Sequence, residues 1–196
     1  SLQIAQSGGE LQTTFASSEA GDFSVSLESE QFEIGKTGIL PALLKTSISA
    51  VLEGKANLEG NSQALSKTSG EGAWVLRKVL LPEQTLAGFK IPELKISEIR
   101  IQFQIIQGKI QIKQLQIGQR GQPDDLVGTL TGDITLGTTL GMSQINLTTQ
   151  FSLSDRVKSS MILLDALLGA GRKSDGSYSY RLTGRLSEPI PTPQGG

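Results

Sequence analysis

Ile99, Ile101, Phe103 and Ile105 alternate with Arg100, Gln102 and Gln104. A period of two sends successive side chains to opposite faces, so this stretch predicts a half-buried strand. Gln107-Gly108-Lys109 supplies a tight turn, and Ile110 and Ile112 begin the return strand. The apolar parity then moves to Leu115 and Ile117, which predicts a bulge near Lys113-Gln114. A second change of parity falls between Ile96 and Ile99.

The same period recurs along the chain. Leu126, Leu130, Ile134 and Leu136 share one face, with Gly128 and Gly132 in the row. Ile145, Leu147, Phe151 and Leu153 form the next row, and Tyr178, Tyr180, Leu182 and Leu186 the last, which contains Gly184. Earlier strands are expected at 11–15, 23–27, 48–58 and 74–81. Hairpin-length gaps and frequent Thr, Ile and Val favour an antiparallel sheet of eight to ten strands. A weak repeat, Leu-x-Gly-x-apolar, appears at 51–58, 129–136 and 181–186. Glycine in an apolar row lets a strand bend or another chain lie close.

One stretch has helical spacing. Val157, Met161, Leu164 and Leu168 fall on one stripe, with Ser154 or Asp155 as the cap and Gly169 and Gly171 as the stop. A shorter helix or turn is expected over 39–44. The fold class is therefore mostly β: a curved antiparallel sheet, groove or sandwich-like, with one amphipathic helix near the C-terminal end. The expected organisation is one β-rich domain over 1–188, its first 38 residues generic strands, and a Pro/Gly-rich tail over 189–196.

Composition removes much chemistry. The 196 residues include no His and no Cys. Ser-His-Asp and Cys-His sites, His-ligated metals, disulfides and zinc–thiolate centres are thereby excluded. Eighteen basic and 19 acidic side chains leave a net charge of −1, which argues against a nucleic-acid partner. Gly169-Ala170-Gly171-Arg172-Lys173-Ser174 lacks the spacing of a phosphate-binding loop and follows a helix where that loop opens one. Asp124-Asp125 follows Pro123 and reads as a turn before a strand. Asn146-Leu147-Thr148 fits a glycosylation sequon inside an expected strand. With 5 % aromatic residues, sugar-stacking platforms are few, and no enzyme is expected. No catalytic, cofactor or metal residues are assigned.

Charge is unevenly spread. Residues 1–35 hold six acids and no base, and residues 156–185 hold Arg156, Lys158, Arg172, Lys173, Arg181 and Arg185 against Asp165 and Asp175. Solvated surface explains such a pattern, and a docking rim for a partner or for lipid head groups is the sharper reading. Arg172, Lys173, Arg181 and Arg185 are the candidate rim.

From Ile39 onward, the order of segments resembles the GspN family, a component of bacterial type II secretion systems, in its deltaproteobacterial and spirochaete form. The carrying segments begin with Leu40-Pro41-Ala42-Leu43-Leu44 and a strand ending Leu52-Glu53-Gly54-Lys55-Ala56-Asn57-Leu58. Ser69-Gly70-Glu71-Gly72, Val79-Leu80-Leu81-Pro82 and Phe89-Lys90-Ile91-Pro92 follow, then the hairpin at Gln107-Gly108-Lys109-Ile110. The most telling run spans 174–189 and contains Asp175, Gly176, Tyr178, Gly184 and Pro189. The resemblance covers residues 39–190. It implies a non-enzymatic accessory domain in the periplasm, tethered to the inner membrane by an N-terminal helix that this chain does not contain. The partners implied are other secretion-system or envelope proteins. The style is also similar to AsmA-like proteins, whose stacked strands form a groove, so a lipid-binding or lipid-transfer module is the alternative. The resemblance carries no catalytic residues. A chain opening at Ser1 is expected to be an excised or mature form.

Overall fold

The computed structural model describes residues 2–6, 9–36, 48–86, 89–161 and 163–194. Eleven strands form one antiparallel sheet that is not closed into a barrel. They are β1 (Leu2–Gln6), β2 (Gly9–Ser17), β3 (Asp22–Glu33), β4 (Ser49–Asn61), β5 (Ala64–Leu81), β8 (Leu94–Ile106), β9 (Lys109–Ile117), β10 (Leu126–Thr135), β11 (Gln144–Leu153), β12 (Tyr178–Arg185) and β13 (Glu188–Pro193). Each pairs with its neighbour in sequence, except that a small hairpin, β6 (Gln84–Leu86) and β7 (Phe89–Ile91), interrupts the path from β5 to β8. Sequence-adjacent pairing follows from the short turns, since an antiparallel neighbour needs only a hairpin. The helix or turn expected over 39–44 lies outside the described residues.

Three of the register shifts move an apolar row. Gln31 (φ 48°) is the extra residue between the Ser29 and Phe32 pairings of β3 with β4. Lys78 (φ 53°) lies where β5 slips against β4, and Val79 and Ile96 beyond it join the buried set. Lys113 is the extra residue of β9, because Gln114 pairs with Gln102 while Ile112 pairs with Phe103. The two parity changes expected around Ile96–Ile99 and Lys113-Gln114 are thus both present.

Two clusters close one end of the sheet. Phe32, Ile34, Ala50, Val79 and Ile96 form the first, with Leu52, Leu76, Ile99, Ile117 and Leu126 packed against it. A 3-10 turn at Ile34–Lys36 delivers Ile34 into it. Burying each of the larger side chains is worth about 2 kcal/mol. The second cluster sits under two short helices, α1 (Asp155–Ser160) and α2 (Leu164–Leu168). Leu164, Tyr178 and Tyr180 are buried there, with Phe151, Leu153, Met161 and Leu168 against them. The Phe151 and Tyr178 rings stack at 5.5 Å.

Two details correct the sequence reading. The single helix is interrupted: Met161 adopts φ −110°, ψ 85° and ends α1. The stripe survives the break, because Val157 and Leu164 are buried and Met161 and Leu168 half-buried. Ser154 caps α1, its side chain accepting from the Val157 N–H at 3.3 Å, and a 3-10 turn at Gly169–Gly171 ends α2. The run expected as a tail instead forms β13 on the edge of the sheet. Gln194 N–H donates to the Ser179 carbonyl at 2.9 Å. By alternation, Ile190 and Thr192 also turn inward, and the nitrogens of Pro189, Pro191 and Pro193 face outward.

Candidate functional site

The registers divide the sheet into two unlike faces. Gly54, Trp74, Ile101 and Leu115 are successive partners across four strands. Ala56, Gly72, Phe103 and Ile112 form the next row. On the other half, Leu130 faces Thr149 and Tyr180, and Gly132 faces Leu147 and Leu182. From β2 to β12 this face carries Leu, Ile, Val, Phe, Trp, Tyr, Ala, Gly, Ser and Thr, and no charged residue. Glu28, Lys55, Glu71, Gln102 and Gln104 occupy the opposite face, together with Gln114, Thr129, Asn146 and Arg181.

The glycines in these rows let the face approach its neighbours closely. At Gly54 (φ 135°) and Gly132 (φ 125°) a Cβ would stand 2.1 and 2.2 Å from the carbonyls of Ala73 and Asn146. Both belong to the Leu-x-Gly-x-apolar repeat, whose third glycine, Gly184, also has positive φ. At Gly72 the Phe103 ring occupies the space of a side chain, 2.6 Å from where a Cβ would be.

Most of the face is not sealed. Trp74, Ile101, Phe103, Leu115 and Leu130 are half-buried, and Phe15 is 58 % exposed. The chain exposes 11785 Å². A compact monomer of this mass exposes about 9,000 Å². Among the described residues no second sheet covers this face.

The opposite face is mixed in charge. A depression of about 550 Å³ is lined by Glu28, Glu53, Lys55, Arg100 and Gln102, so acids and bases are mixed. Glu98 is buried beneath it, accepting from Arg77 Nη1 at 2.6 Å and from Arg100 Nε. The Arg100 guanidinium holds its carboxyl below the usual range. Among the described residues no group of three His, Cys, Asp or Glu could hold a metal, and no helix is long and apolar enough to cross a membrane.

The four candidate rim bases do not converge. Arg172 makes a bridge to Tyr178 at the closed end, and the Lys173 N–H donates to the Ser177 carbonyl. Arg181 lies mid-strand on the polar face with its Nε on Asn146 Oδ1 at 3.0 Å. Arg185 ends β12, about 23 Å from the level of Tyr178. Asp175 and Gly176 form the turn before β12, where Ser177 N–H and Oγ both donate to Asp175 Oδ1. Those two bonds hold the Asp175 carboxyl below its ordinary value.

The sequence signal at Asp124-Asp125 was a turn, and the structure gives the pair a further role. Asp124 accepts from Ser97 Oγ at 2.7 Å and Gln119 N–H at 2.7 Å. Asp125 accepts from Lys95 N–H at 2.8 Å, Ser154 Oγ at 2.8 Å and Arg156 Nε at 3.0 Å. The pair therefore clamps β8 to the start of α1. Compared with known protein families, with curated proteins and with solved structures, the chain gives no match.

Proposed function

We propose that this domain is a non-enzymatic binding module whose uncharged sheet face holds the acyl chains of lipid. The single observation that carries this reading is the face itself: apolar from β2 to β12, without a charge, and largely half-buried under no described element. Hydrocarbon offers no hydrogen bonds and requires none, so a chargeless face suits it. A protein partner is ordinarily met by an apolar centre ringed with polar groups. Neighbouring strands lie about 4.8 Å apart, so the nine strands from β2 to β12 give a path of about 38 Å, long enough for extended acyl chains.

Trp74 lies on this face and is the sole Trp, so its fluorescence reports occupancy. Titration with a brominated fatty acid is expected to quench it, and solvent extraction of the purified protein is expected to release lipid. Ile101→Glu, beside Trp74, is expected to weaken quenching about tenfold or more by placing a charge in the apolar row. Absence of both lipid and quenching rejects the reading.

A second reading, docking within a type II secretion apparatus in the periplasm, is supported by the segment order across 39–190. It is favoured by the unequal outer strands. β13 turns three proline nitrogens outward, whereas β1 has neither Pro nor charge and suits pairing with a partner strand. Crosslinking in native envelopes that recovers no secretion component counts against it.

A further inference from the structure

We propose that the turn end of the sheet docks on an electrically neutral lipid surface, with Leu140, Met142 and Leu186 entering the boundary between head groups and acyl chains. This rests on the acyl-chain reading and adds the place where the lipid is met.

The three side chains are 65 %, 49 % and 43 % exposed, and Ile106 on the next turn is 49 % exposed. They lie on neighbouring turns that are tied together. Leu186 N–H donates to the Ser143 carbonyl at 2.8 Å, Ser187 N–H to Gly141 at 3.2 Å, and Leu136 N–H to Gly108 at 2.8 Å. Thr138 Oγ1 donates to Met142 Sδ at 3.4 Å. The apolar tips therefore stand on a braced platform. This end of the strands is opposite the end closed by the two core clusters, so the apolar face runs toward it.

Size and charge select the occupant. The tips present a few hundred Å², about half of the ~800 Å² that each partner contributes to a stable protein interface. Protruding single side chains suit insertion into a fluid layer. From Ile134 to Ser154 the chain carries no charged residue, so nothing near the tips must be desolvated as an ion. The flanking bases are balanced: Lys109 pairs with Asp133 at 3.5 Å, and Arg185 faces Glu188 by register. Apolar insertion, rather than attraction to anionic lipid, is the driving term.

The test is sedimentation of the full chain with sucrose-loaded phosphatidylcholine vesicles, at low and high salt. The native protein is expected to bind equally at both. Leu140→Ser with Met142→Ser is expected to lower the bound fraction about tenfold, with the thermal melt and the quenching of Trp74 by brominated fatty acid unchanged. Native protein that stays in the supernatant overturns the proposal. So does binding that survives the double substitution, or binding abolished by salt. Vesicle binding without Trp74 quenching supports the docking end and rejects the acyl-chain reading, so the two fail separately.

Discussion

Asp125 is buried and ionised because its surroundings supply more than burial removes. Burial pushes its carboxyl up, and the hydrogen bonds from Arg156, the Lys95 N–H and Ser154 outweigh that push, leaving it below the ordinary range. With a depressed folded value, the unfolded chain takes the proton first. The stability contributed is therefore full above the unfolded value, about 4, and is lost as pH falls through the lower folded value. Asp125→Asn is expected to cost about 2 kcal/mol at neutral pH. In denaturant titrations the gap to the native protein should close below about pH 4, and a gap that ignores pH assigns the cost to packing instead. The acid pair was visible in the sequence as a turn. Its partners at Ser97, Gln119 and Arg156 are not, because nothing local ties residues 97 and 124, or 125 and 156, together.

At the scale of elements, the helical region shows how a sequence pattern and a broken helix coexist. Val157, Met161, Leu164 and Leu168 keep their stripe because side-chain burial, not helix length, places them. Two helices of six and five residues are too short to persist alone. They depend on Tyr178, Tyr180 and Phe151 beneath them, and the Tyr180 hydroxyl donates to the Leu168 carbonyl at 2.9 Å. Leu164→Asp would bury an unpaired charge between the tyrosines and is expected to cost about 3–4 kcal/mol. An unchanged thermal melt would mean that the helices do not rest on the sheet. Strand β13 makes the complementary point. Its Pro/Gly composition resembles a linker, yet alternate prolines are compatible with an outer strand that donates only inward.

For the whole molecule, a single layer creates two liabilities among the described residues: an apolar face that no second sheet covers and two edges without a partner strand. The face is where we propose that lipid is held. The β13 edge lacks outward donors at Pro189, Pro191 and Pro193, which prevents further pairing there. Replacing all three with Thr restores those donors while keeping the inward bonds. The triple variant is expected to elute as higher oligomers in size exclusion with light scattering. A profile identical to the native one shows that the prolines do not guard the edge.

The sequence alone determined most of the strands of the main sheet, the bulge at Lys113, the parity change between Ile96 and Ile99, the capped helical stripe and the lack of His and Cys chemistry. Each of these is written in the period and type of nearby residues. Only the tertiary structure decided that the apolar rows from β2 to β12 lie on one face without a charge, that β13 joins the sheet, and that Asp124 and Asp125 clamp β8 to the start of α1. It also placed Leu140, Met142 and Leu186 on adjoining turns, whereas alternation alone puts Leu186 in the row with Leu182. Those outcomes depend on register between segments far apart in the chain, and local periodicity carries no information about which residue stands opposite which.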